Sequence, residues 1–234
     1  MRSAADAILI GDPAIEIRLR RSTQARRMVL RVSQGGTAPT LTLPHGVALA
    51  QAHRFVVEHE GWLRRHIATA PRGVVVRDGT VLPLGDATVT VRMAEGGIEH
   101  RPGELRVPGP AARVGAQVTA WLREEARLAC LAAVARHAAQ IGRPFGRVSL
   151  RDPRSRWGSC SAAGDLMFSW RLVMAPTAVL DYVVAHEVAH LVEMNHSTRF
   201  WTVVRRLCPD HATAREWLRR HGASLHGHQF ASPA

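Results

Sequence analysis

The segment LDYVVAHEVAHL, Leu180 to Leu191, is apolar on almost every side when wound as a helix. Leu180, Val184, Val188 and Leu191 share one face, with Val183 and Val192 nearby. Such a helix is stable only when protein surrounds it, so the chain must build layers around it. Its 234 residues are enough for a core of that size. Pro176 sits at the helix start, where a missing N–H costs nothing. Three polar side chains, His186, Glu187 and His190, are set into this apolar segment. Burial without partners costs on the order of several kcal/mol for each. They must therefore be given partners or a task.

The rest of the chain supplies the layers. Ile15, Ile17 and Leu19 alternate with Glu16, Arg18 and Arg20, the period of a half-buried strand. Further strands are predicted at Met28 to Val32, Thr40 to Leu43, Thr80 to Leu84 and Ala87 to Met93. An SQGG turn at Ser33 to Gly36 separates the first two of these. Helical spacing runs from Leu49 to Ile67. The turn-rich RPGELRVPGP, Arg101 to Pro110, marks the expected boundary between a β-rich part, 1–110, and a second domain, 111–234. A long helix is predicted over Ala112 to Ile141, stopped by Gly142 and Pro144. Strands follow at Arg147 to Arg151 and Leu166 to Trp170.

His186 and His190, at i and i+4, stack one turn apart, the bite for one tetrahedral metal ion. Glu187 lies about 100° further round, placed to take a proton from a water activated there. Together they form the HExxH pattern of zinc hydrolases. His196 is a candidate third ligand. On an unbroken helix it would sit about 240° away from His190 and roughly 9 Å further along. It can reach the metal only if the helix ends and the chain turns back. The 186/190/196 spacing is that of metzincins, but Glu193 replaces their turn-making glycine, so the turn is expected at Met194-Asn195. Asn195 tolerates a left-handed conformation, and Ser197 is suited to cap a helix over Thr198 to Leu207. Asp210 and Glu193 are rival third ligands, and Glu193 is also placed to hydrogen-bond a ligand histidine.

RWGSC (Arg156 to Cys160), FSWRL (Phe168 to Leu172), LDYVVAHEVAHL and NHSTRFW (Asn195 to Trp201) together resemble the YgjP-like metallopeptidases. These are zincin-fold proteins similar to the SprT-class proteases that act on DNA–protein crosslinks. The resemblance covers about residues 150–220. It implies an α+β fold, a zincin-like catalytic domain with a β-rich N-terminal part. It also implies His186, His190 and His196 as zinc ligands, Glu187 as general base, and a peptide or protein substrate. Ser169 stands where the family more often has Asn, and His211 where an aromatic residue commonly follows Pro-Asp. Both departures bear on substrate contacts rather than on the metal set.

Tyr182, Arg156 and Arg171 are candidate donors to the transition state. Asp165 to Trp170 is the candidate sheet edge for an extended substrate. Cys160 is either a small buried residue or an inhibitory metal ligand. Two other functions use the same residues. A nucleoside triphosphate pyrophosphatase would hold phosphates on Arg154, Arg156 and Arg171. A non-catalytic nucleic-acid-binding module would use zinc structurally, though such a site needs no glutamate base.

Composition narrows the field further. The chain carries 31 basic and 19 acidic side chains, a net +12, and contains no lysine. Schiff-base and Walker-lysine chemistry are thereby excluded. The arginine excess is spread along the chain, so nucleic acid or nucleotide is a candidate partner for the folded surface, with Arg205-Arg206 and Arg219-Arg220 as candidate contacts. Cys130, Cys160 and Cys208 form no CxxC pair. No signal-like or membrane-length apolar run is present, and the expected location is cytoplasmic.

Overall fold

The computed structural model describes residues 7–32, 38–69 and 73–230, so the SQGG turn lies outside the described residues. The chain divides into two units at Gly73/Val74.

In the first unit, β1 (Ala7–Ile10), β2 (Ile15–Ser22), β3 (Val29–Arg31) and β4 (Thr40–Pro44) form a sheet ordered β1-β2-β4-β3. The alternation in β2 is realised: Ile17 is buried, whereas Glu16, Arg18 and Arg20 face solvent. Ile17, Leu41 and Leu43 pack with Ala52, Val56 and Leu63 into one core. The last three lie on α1 (Leu49–Glu58) and α2 (Glu60–Thr69). The expected single helix is thus two. The break is at His59, whose backbone leaves helical geometry and whose ring Nδ1 bonds the Phe55 carbonyl at 2.8 Å.

The second unit opens with β5 (Val74–Val75). A sheet ordered β6-β7-β9-β8 follows, from β6 (Val81–Leu84), β7 (Ala87–Met93), β8 (Glu99–Arg101) and β9 (Glu104–Val107). The stretch expected to be a boundary therefore contains a strand. Leu105 and Val107 of β9 are buried in the same core as Val114 and Val118 of α3 (Ala111–Ile141). That shared core is why the division falls at residue 73 and not at 110. Gly142 ends α3 in the left-handed conformation, φ 61°, as its position predicts.

Next come β10 (Val148–Arg151), β11 (Gly158–Cys160) and β12 (Leu166–Ser169), followed by a 3-10 turn over Trp170–Met174. The sheet order is β10-β12-β11, with β12 parallel to β10 and antiparallel to β11. The strand expected at the substrate edge is thus the middle strand. Leu166 and Phe168 are buried, and β11, where no strand is predicted, takes an outer position.

The apolar helix is α4 (Thr177–Ala189). Its N-terminus is held by Asp86 of the β6–β7 turn, which accepts from the Thr177 backbone N–H and hydroxyl. Val179, Val184, Ala185, Val188 and Ala189 are all buried, packed by α3, β11, α5 (Thr198–Leu207) and α6 (His211–Leu225). Each buried valine contributes about 1.5–3 kcal/mol over its exposed state. The unit closes on β13 (His228–Gln229), paired with β5. No helix among the described residues is long and apolar enough to cross a membrane.

Candidate metal centre

α4 stops at its second histidine. The amides of His190, Leu191 and Val192 bond to carbonyls three residues back, so the last turn tightens and the chain reverses without glycine. The reversal therefore starts earlier than Met194-Asn195, and no non-glycine residue takes a positive φ among the described residues. Asn195 acts differently from expectation: its Oδ1 accepts from the Ser197 N–H at 3.0 Å, a local turn. Ser197 caps α5, accepting from Phe200 N–H at 3.3 Å.

The reversal carries His196 back to α4. The ligand nitrogens of His186, His190 and His196 lie within 4.8 Å of one another. His186 Nε2 and His196 Nε2 are 3.1 Å apart. Nitrogens of a tetrahedral zinc site at about 2.0–2.1 Å would be roughly 3.3 Å from each other, so the set fits such an ion. Phe200 is fully buried beneath all three imidazoles, with ring centroids 4.5 to 4.9 Å away. Asp210, at the N-cap of α6, and the Glu193 carboxylate are not part of this group. Glu193 contributes through its backbone instead: its carbonyl accepts from His190 Nδ1 at 3.0 Å, which leaves Nε2 to face the site. His186 Nδ1 is buried and has no hydrogen-bond partner among the described residues.

Burial governs the electrostatics. It lowers the His186 pKa to about 4, aided by its histidine neighbours, and lowers that of His190. Both imidazoles are thus neutral near pH 7, the form a metal needs. Glu187 is 7% exposed, accepts no hydrogen bond from any described residue, and is pushed by burial up to about 7. Arg156 opposes that rise.

Glu187 is walled in by β11. A Cβ placed on Gly158 would fall 2.6 Å from Glu187 Cγ and 2.7 Å from its Oε1. Only a residue without a side chain lets the strand lie against this carboxylate. The glycine was visible in RWGSC, but its partner, 29 positions downstream, was not.

The remaining candidates separate clearly. Tyr182 is buried with its ring edge-on to His186 at 6.0 Å, and burial raises its pKa. Arg156 is exposed and close enough to Glu187 to influence it. Arg171 is 8% exposed and engaged elsewhere. It forms a fork on Asp152 at 2.7 and 3.1 Å, donates to the Leu225 and His228 carbonyls, and stacks on Trp170 and Phe230. These bonds take four of its five N–H groups. Cys160 is half-buried near Glu187, and burial raises its thiol pKa. Arg219 and Arg220 bind Glu216, Arg205 donates to Thr202, and Arg206 donates to the Gln140 carbonyl.

A family model described as "YgjP-like, metallopeptidase domain" matches residues 26–221. Among solved structures, the crystal structure of the metallopeptidase zymogen of Pyrococcus abyssi abylysin is similar at 23% identity and a TM-score of 0.36. The match covers 41% of this chain and 94% of that one. No curated protein matches.

Proposed function

We propose a zinc-dependent mechanism for this chain, which belongs to the YgjP-like metallopeptidase family and is thereby a peptidase. In this reading His186, His190 and His196 hold the metal and Glu187 is the general base. The observation that carries it is the convergence of three imidazole nitrogens within 4.8 Å beside a buried glutamate that no described residue hydrogen-bonds. Bound zinc would lower the pKa of a water toward 7 and polarise the scissile carbonyl. Glu187 then takes the proton of the attacking water and returns it to the leaving amine. A carboxyl group with a pKa near neutrality is suited to both transfers.

The outer strand β11 lies against that carboxylate, so a substrate added as a strand along β11 would run past the base. Tyr182 and Arg156 remain candidates to stabilise the oxyanion. Arg171 is withdrawn from that role because Asp152 and two carbonyls occupy it. Its engagement also removes one of the three arginines a triphosphate-cleaving site would have used.

The test is metal content and turnover on the same preparations. One zinc per chain is expected, lost in His196→Ala and retained in Glu187→Gln. Cleavage of an unfolded protein should disappear in both variants. Zinc retained by His196→Ala would remove that residue from the ligand set. Glu187-dependent cleavage of nucleoside triphosphates with protein left intact would replace the peptidase reading.

A further inference from the structure

The first unit contains a second feature built for chemistry. A cavity of about 340 Å³ is lined by Arg20, Arg26, Arg27 and Arg31 with Ser22 and Thr42, and no acidic side chain among the described residues lines it. Its floor follows from strand register. Arg20 of β2 and Val29 of β3 both pair with Thr42 of β4, so all three project to one face of the sheet. Leu41 and Leu43 alternate to the opposite face and form the core. Arg20 Nε donates to Thr42 Oγ1 at 3.3 Å, which orients its guanidinium over the cavity floor. Arg26 and Arg27 come from the segment joining β2 and β3.

Several arginines elsewhere are matched by carboxylates. Arg64 pairs with Glu60, Arg127 with Glu124, and Arg219 and Arg220 with Glu216. Among the described residues none of the four cavity arginines has a carboxylate partner. Like charges on neighbouring strands repel, so the arrangement disfavours the isolated fold and favours any state in which an anion sits there. Guanidinium forks and hydroxyls are the donors that match phosphate oxygens. The backbones of Arg20 and Arg31 lie on strands two spacings apart, about 10 Å, wider than a single phosphate.

We propose that this cavity is a binding site for a ligand carrying two or more phosphates. The shared chemistry is that of a nucleic-acid phosphodiester strand or a nucleoside polyphosphate. The site belongs wholly to the first unit, and its test needs no peptidase activity.

The experiment measures binding of a labelled oligodeoxythymidylate to the full chain across a salt series, with ATP and inorganic pyrophosphate as competitors. The variants are Arg26→Gln/Arg27→Gln and, as a charge-matched control on α3, Arg113→Gln/Arg123→Gln. Single-strand binding should weaken with salt by a log–log slope of about −0.7 per phosphate neutralised. The cavity variant should lose at least about tenfold in affinity and roughly 1.4 of that slope, and the control should change little. Competition by ATP or pyrophosphate at matched phosphate concentration would identify a small polyphosphate as the ligand, and resistance to it a strand. Equal loss in the control variant, an unchanged cavity variant, or no binding of any probe at low salt would overturn the proposal.

Discussion

Two buried charged residues of the second unit share one core and are treated in opposite ways. Arg171 has its charge matched by Asp152, its N–H groups taken up by two carbonyls, and its faces covered by Trp170 and Phe230. Glu187, buried to the same degree, receives no hydrogen bond from any described residue, and the histidine one residue before it has a buried ring nitrogen without a partner among them. A charge matched in this way marks a part that holds the molecule together, because most of what a ligand could bind is already taken. A group that no described residue bonds keeps its polar atoms available to a ligand. The contrast separates two residues that the sequence offered together as site candidates, Glu187 as the base of the HExxH pattern and Arg171 as a donor to the transition state.

The sharpest way to break the comparison is Glu187→Gln in the metal-loaded protein. Peptide cleavage should fall by about 10²–10⁴-fold, with zinc content and melting behaviour retained. A large loss of stability instead would make Glu187 structural. Arg171→Met should do the reverse, removing about 3 kcal/mol of stability while activity per folded molecule survives. The figure is at the low end because Asp152, 41% exposed, can recover water. Denaturant midpoints and active-site titration would distinguish the two outcomes.

A third test uses pH on metal-free protein. Burial raises Glu187 from 4.5 to about 7, so between those values the folded chain keeps a proton that the unfolded chain has released. The contribution of this group to stability is complete below pH 4.5 and lost as pH rises through 7. Metal-free Glu187→Gln should therefore exceed its parent in stability at pH 8, by at most about 3 kcal/mol, and match it near pH 4. The opposing effect of His186, lowered to about 4, is common to both proteins and cancels. Smallest of all, Gly158→Ala should leave zinc content intact and reduce turnover by about 10- to 100-fold, since its methyl group would displace the Glu187 carboxylate. Unchanged turnover would show that β11 can give way.

Much of this was legible in the sequence. The bounds of α5, the stop of α3 at Gly142 and the apolar wrapping of α4 follow from local signals of capping and periodicity. What could not be read was settled by distant partners. β11 is three residues of Gly, Ser and Cys, without strand propensity, and exists because β12 offers it a ladder. β12 alternates as an edge strand would, yet β10 covers its other side. The reversal after α4 was expected to need a left-handed residue, but a run of bonds to carbonyls three residues back makes the turn. Arg171 looked available because the partners that consume it lie 19 residues before it and 54 to 57 after it.

The reversal after α4 also sets the order in which the centre can come together. His186 and His196 enclose a loop of only eleven residues, and closing so short a loop costs little chain entropy and is among the quickest events in folding. Glu187 gains its wall only when β11, far back along the chain, has docked. In the proposed reading, metal capture by His186, His190 and His196 is thus a local event, whereas hydrolysis also needs β11 docked against Glu187.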